Sequence, residues 1–149
     1  MNHITCVHFK DLTLTELYDI MNLRQEVFVL EQNCVFIDAD YNDQDSWHLS
    51  IRNDEGKLLA YARLLPEGLS FEGYTSIGRV VNSSSARGTG IGKVLMQASI
   101  AKVHEIFGQQ YPIKIGAQSY LLGFYASFGF VSLDDEYMED GIPHTHMVL

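Results

Sequence analysis

The segment that most restricts this chain runs Val80-Val81-Asn82-Ser83-Ser84-Ser85-Ala86-Arg87-Gly88-Thr89-Gly90-Ile91-Gly92-Lys93. Residues 75–81 read as a strand that stops at the polar run Asn82–Ser85. Helical spacing begins at once afterwards, with Ile91, Val94, Leu95, Ala98, Ile100, Ala101 and Val103 recurring to about Phe107. A strand, a glycine turn and a helix in that order turn several backbone N–H groups toward one point at a positive helix end. Such a point suits a phosphate or pyrophosphate. The glycines let the backbone come close to that ligand, where side chains would intrude.

Spacing separates the nucleotide loops that share this plan. A P-loop requires a hydroxyl residue after Gly-Lys and a glycine five positions before it; here Val94 follows Gly92-Lys93, and Arg87 holds the glycine position. A dinucleotide fingerprint starting at Gly88 would put its third glycine on Lys93. Both fail. A tight turn without a ligand would use the same glycines, so the context has to decide.

Elsewhere, residues 4–9 read as a first strand. Thr13 or Thr15 caps a helix to about Leu30, with Leu17, Ile20, Met21, Arg24, Val27 and Phe28 at spacings of three and four. Residues 47–52 and 58–65 form a hairpin around Asn53-Asp54-Glu55-Gly56. Residues 113–117 are a short strand, 121–128 a short helix, and 130–133 and 145–149 two closing strands. The order β-α-β-β-β-α-β-α-β-β predicts an α/β (α+β) domain around one mixed central sheet. No repeat or linker divides the chain, so a single domain spanning residues 1–149 is expected.

Arg87-x-x-Gly90-x-Gly92 resembles the pyrophosphate loop of the GNAT superfamily of N-acetyltransferases. Downstream, Gly116-Ala117-Gln118 followed by Tyr125-x-x-x-Gly129-Phe130 resembles that superfamily's second signature. Arg24-x-x-Val27-Phe28-Val29-x-Glu31-Gln32-x-Cys34 and Glu139-Asp140-Gly141-Ile142-Pro143-His144 are similar to its ElaA-type branch, so the likeness runs nearly end to end.

The resemblance implies the GNAT fold, with the strand at residues 77–82 splayed from its parallel neighbour at 113–118 and helices flanking the sheet. It implies acetyl-CoA as co-substrate and no metal. Arg87, Gly88, Thr89, Gly90, Ile91 and Gly92 would hold the pyrophosphate, Val80, Val81 and Asn82 the pantetheine arm, Gln118 the neighbouring wall, and Tyr125 the sulfur. The acceptor would be a primary amine, on a small molecule or as a protein lysine or N-terminus. The alternative is a non-catalytic module that binds or senses acyl-CoA. A homodimer is suggested by the resemblance alone.

The strand before the loop, Thr75-Ser76-Ile77-Gly78-Arg79-Val80, carries no carboxylate to deprotonate the amine. Candidates therefore come from the other walls: Glu31, Asp38, Asp40 and His48, and Glu136, Glu139, Asp140 and His144. Glu31 and His144 lead on location and titration range. Arg79 requires a partner, either Glu31, an aspartate or an acceptor carboxylate.

A formal net charge of −9 disfavours nucleic acid and favours a cationic acceptor. The two cysteines, Cys6 and Cys34, fit a reducing compartment. No apolar run approaches the ~20 residues of a membrane helix, and the N-terminal residues lack a secretory pattern. A cytoplasmic protein is expected. Asp38-x-Asp40-x-Asn42 lacks the glycine and glutamate of a calcium loop, and His144-x-His146 has no further metal ligands beside it.

Overall fold

The computed structural model describes residues 1–149. Strand β1 (His3–His8) leads to helix α1 (Leu14–Arg24), then β2 (Trp47–Arg52), β3 (Leu58–Leu65) and β4 (Ser76–Asn82). Helix α2 (Ile91–Phe107), β5 (Lys114–Gln118), α3 (Leu122–Ala126), β6 (Val131–Ser132), β7 (Tyr137–Glu139) and β8 (Ile142–Val148) follow.

The first four strands form an antiparallel sheet in the order β1-β2-β3-β4, and the others a second sheet, β5-β8-β6, with β7 on β8. A parallel bridge between Thr75 and Ile113 joins the two. There the Thr75 amide donates to Pro112 O at 3.1 Å and the Lys114 amide to Thr75 O at 2.9 Å. Beyond this bridge β4 and β5 diverge, so the central sheet is splayed.

A bulge in β4 accompanies the divergence. Gly78 pairs with Arg63 and Val81 with Tyr61, so Arg79 and Val80 together span the position opposite Ala62. Arg79 takes φ 47°, unusual for a residue with a Cβ. A bulge of this kind bends its strand.

Each sheet face buries a helix. Leu95, Met96 and Val103 of α2 pack with Leu49, Leu64, Ile77, Ile113 and Met147. On the other face, Ile20, Leu23 and Val27 pack on Tyr61 and Val81. Helix α1 starts at a full capping box: the Glu16 amide donates to Thr13 Oγ1 at 3.1 Å, and the Thr13 amide to Glu16 Oε1 at 2.8 Å.

Two segments differ from expectation. The first helix does run on to residue 31, but Gln25–Glu31 is wound as a π-helix. Its hydrogen bonds step by five, with Gln32 N to Val27 O at 3.0 Å and Cys34 N to Val29 O at 3.1 Å. Apolar spacing of three and four fits either winding, which is why the pattern hides the change. The closing region contains an unexpected strand, β7, turning into β8 through Asp140 (φ 50°) and Gly141 (φ 77°). An Asp-Gly pair is a hairpin signal; here it lies in an acidic stretch too short to show strand alternation.

Candidate active site

A cavity of about 660 Å³ opens where β4 and β5 part. One wall is the π-turn, with Phe28 and Glu31; another is the β7–β8 hairpin, with Glu139 and His144. Val80, Val81, Asn82, Arg87, Gln118 and Tyr125 line the same cavity. The residues expected for donor and acceptor chemistry therefore face one space. Gly88, Thr89, Gly90, Ile91 and Gly92 lie outside its lining and build the entrance to α2.

That entrance is open for an anion. Gly90, at φ 82°, is the N-cap, and no side chain caps the helix. Gly88 is also left-handed, at φ 78°. A Cβ on Gly92 would stand 3.2 Å from the Asn82 amide nitrogen, so a side chain there would press into β4. The Thr89 hydroxyl ties the turn to Ala86 O. Arg87 donates to Asn82 O at 3.3 Å and, through Nη1, to the carboxylate of Glu31.

Three features of the cleft suit a bound acyl-CoA. The β5-facing edge of β4 has no partner strand past Thr75, which leaves backbone amides for a pantetheine arm. The Asn82 Oδ1 is buried without a hydrogen-bond partner. Tyr125 is only 7% exposed, and its hydroxyl bonds to no protein atom. A buried polar atom left single, as Asn82 Oδ1 is, is uncommon. Phe124 and Phe130 hold the Tyr125 ring edge-on. Burial, with a smaller effect from Tyr120, pushes the phenol up to about 12.

His144 is 7% exposed. Its Nδ1 lies 2.7 Å from Ile142 O. A carbonyl oxygen only accepts, so Nδ1 carries the proton and Nε2 is the basic nitrogen. Glu139 Oε2 lies 3.3 Å from that Nε2.

The other base candidates are engaged elsewhere. Arg24 is wholly buried and donates to Asp38 and Asp43 at 2.7 Å each. Arg63 holds Asp40 in a two-pronged pair at 2.8 Å and reaches Asp43 at 2.9 Å. Arg79 lies 2.9 Å from Asp38 Oδ1 and donates to Asp38 O at 3.0 Å, so aspartates are its partners and Glu31 is not. Burial alone would raise the Asp40 carboxyl, but the hydrogen bonds and charges of Arg63, with help from Asn42 and Arg79, outweigh it and hold it at about 2. His48 is buried away from the cavity, between Tyr61 Oη at 2.7 Å and Asp43 O at 2.9 Å, and burial lowers its basicity. Asp38 and His48 are thus held in the interior, whereas Asp40 is paired with Arg63 and also lines the cavity. Glu136 does not line the cavity, whereas Glu139 and Asp140 do.

Sequence reasoning missed Tyr137 and gave Gly116 no role beyond its place in the second signature; both line the cavity. The alternation of His144 and His146 does put both on one strand face, and the Tyr137 ring lies against both.

The fold is that of an acetyltransferase (GNAT) domain. The chain matches the acetyltransferase (GNAT) domain family over residues 25–149 and belongs to it. Within that family it is of the ElaA type. Protein ElaA of Escherichia coli is 40% identical over 144 residues, which cover 95% of this chain and 92% of that one. The crystal structure of E. coli ElaA superposes with a TM-score of 0.91 at 35% identity over 99% of both chains. An acyl-CoA N-acyltransferase from Pseudomonas aeruginosa superposes with a TM-score of 0.92 at 43% identity, again over 99% of both.

Proposed function

We propose that this protein transfers an acetyl group from acetyl-CoA to a primary amine by direct attack within a ternary complex. The observation that carries this reading is the convergence of Arg87, the unpaired edge of β4 and the unpartnered Tyr125 hydroxyl on one cleft, with the uncapped glycine turn following directly on Arg87. Arg87 and the Gly88–Gly92 turn hold the pyrophosphate. The backbone of Val80, Val81 and Asn82 pairs with the pantetheine arm, and Gln118 closes the far side.

Transfer requires a neutral amine. His144 Nε2 takes the ammonium proton and Glu139 stabilises the charge that results. Glu31 serves as a second proton acceptor once a pyrophosphate has replaced it on Arg87. The amine nitrogen then attacks the thioester carbon, and a backbone N–H in the β4 bulge stabilises the oxyanion, a contribution of a few kcal/mol to the barrier. Collapse breaks the C–S bond, and the thiolate leaves beside Tyr125. A phenol at about 12 loses its proton to a thiolate of pKa ~8.5 only at a cost of about 5 kcal/mol. Tyr125 therefore acts mainly as a hydrogen-bond donor to the departing sulfur.

The acceptor is a small-molecule amine or a protein lysine or N-terminus. The setting proposed is the cytoplasm, where Cys6 and Cys34 stay free thiols. No helix is long and apolar enough to cross a membrane.

Melting curves with acetyl-CoA, coenzyme A, ATP and NAD in parallel test the donor. A ligand at ~100 times its Kd adds about 2.7 kcal/mol. A shift with the coenzyme A species alone supports the reading; no shift with millimolar acetyl-CoA overturns it.

A further inference from the structure

We propose that Tyr137 binds the acceptor amine through its hydroxyl, and that residue 116 is glycine to make room for that hydroxyl. The proposal rests on the acetyltransferase function above and extends it to a residue that neither signature segment contains.

In the β-ladders Tyr137 lies opposite His144, His144 opposite Gln118, and His146 opposite Gly116. Residues directly opposed in an antiparallel pair share a face. Tyr137, His144, His146, Gly116 and Gln118 therefore stand on one face, and all but His146 line the cavity. A Cβ on Gly116 would come within 2.5 Å of the Tyr137 oxygen but 3.9 Å from its ring carbon Cζ. The hydroxyl alone occupies the space a side chain would need. Gly116 has no positive φ, so its backbone does not demand glycine. The demand is for volume.

The ring that carries this hydroxyl is held firmly. It stacks on His146 at 4.5 Å and lies 5.7 Å from His144. Asp135 pins His146 twice, accepting from its amide at 3.0 Å and meeting its Nδ1 at 2.7 Å. Phe71 packs edge-on against the same imidazole. Yet the hydroxyl at the end of this braced ring bonds to no protein atom. Burial first, then the charges of Glu139 and Asp135, push the phenol up to about 12, so it stays neutral throughout the working range.

A neutral phenol oxygen accepts a hydrogen bond but is too weak a base to remove a proton. Tyr137 and His144 thus divide the work on one nitrogen. The hydroxyl accepts from an N–H that the amine keeps, and His144 Nε2 takes the proton that it loses. Attack then starts from a nitrogen already turned toward the cleft between β4 and β5.

Coenzyme A thiol release from acetyl-CoA, with a panel of primary alkylamines and diamines, gives the kinetic test. Tyr137→Phe should raise the amine KM about ten-fold, with kcat and the acetyl-CoA KM nearly unchanged. Gly116→Ala should lower Tm on the order of 5 °C by displacing the ring. The double variant Gly116→Ala/Tyr137→Phe should regain that Tm, because the alanine then meets only Cζ at ordinary contact, while its amine KM stays high. An unchanged amine KM in Tyr137→Phe, or a change in the acetyl-CoA KM in its place, overturns the role. Failure of the double variant to regain Tm overturns the assignment of Gly116. If the wild-type protein gives no amine-dependent thiol release with any member of the panel, the acetyltransferase reading falls and the acceptor role with it; the Tm cycle still reports the Gly116–Tyr137 pairing independently.

Discussion

The carboxylate of Glu31, at the end of the π-turn, accepts a hydrogen bond from the guanidinium of Arg87, 56 residues further on, across the mouth of the cleft. Arg87 begins the glycine turn proposed for the pyrophosphate. Before a donor binds, an internal anion thus sits where an external one is to go. Glu31→Gln removes that competitor. Exposed ion pairs are worth ~0.2–1 kcal/mol, so acetyl-CoA should bind about 1.4- to five-fold tighter by calorimetry. Arg87→Ala should bind more weakly in the same titration. Weaker binding by Glu31→Gln would show that Glu31 orders the loop and does not compete for it.

His144 and Glu139 give a prediction on rate. His144→Gln removes the basic Nε2 and should lower kcat about 100-fold. Glu139→Gln should cost less, because it leaves Nε2 in place. An unchanged kcat in His144→Gln would assign proton removal to Glu31 or to solvent.

The alternation of Arg24, Arg63 and Arg79 with Asp38, Asp40 and Asp43 predicts strong coupling to the fold. Asp43 accepts from both Arg24 and Arg63 in the interior. Removing one partner of a buried pair leaves an uncompensated charge. Asp43→Ala should therefore lower stability by about 3–5 kcal/mol in urea unfolding. A loss below ~1 kcal/mol would mean that water replaces the carboxylate.

Acid should act on the same network. The folded-state carboxyls of Asp40 and Asp43 are depressed, Asp40 to about 2. A depressed acid contributes stability that is present above its unfolded pKa of ~3.9 and lost as pH falls through the folded value. Stability from these groups should hold from pH 7 to about 4 and fall between about 4 and 2, with Asp40→Asn shallower over that window. Loss of the network's contribution already complete at pH 5 would contradict this.

How legible all this was depended on the range of each interaction. The glycine turn was readable because its constraint is local: Gly88 and Gly90 sit at positive φ, and the strand and helix on either side show their own periods. The Asn53–Gly56 hairpin and the Thr13 cap were readable for the same reason. The arginine–aspartate chain was not, because the sequence shows charges but not which meet; Arg63 finds Asp40 across 23 positions and Arg79 finds Asp38 across 41. Asp38 and His48 therefore read as pocket bases when they are internal braces, and Asp40 lines the pocket already tied to Arg63. Tyr137 was hidden because a three-residue strand carries no period, and its reason for being there lies in Gly116 on another strand.

The central claim is acetyl transfer through a cleft in which Tyr125 meets the leaving sulfur. The most direct measurement is thiol release by Tyr125→Phe beside the wild type, with acetyl-CoA affinity measured on the same samples. The account predicts a kcat lower by about 10- to 100-fold with acetyl-CoA Kd within about two-fold. An unchanged kcat, or a loss of affinity that matches the loss of rate, would contradict it.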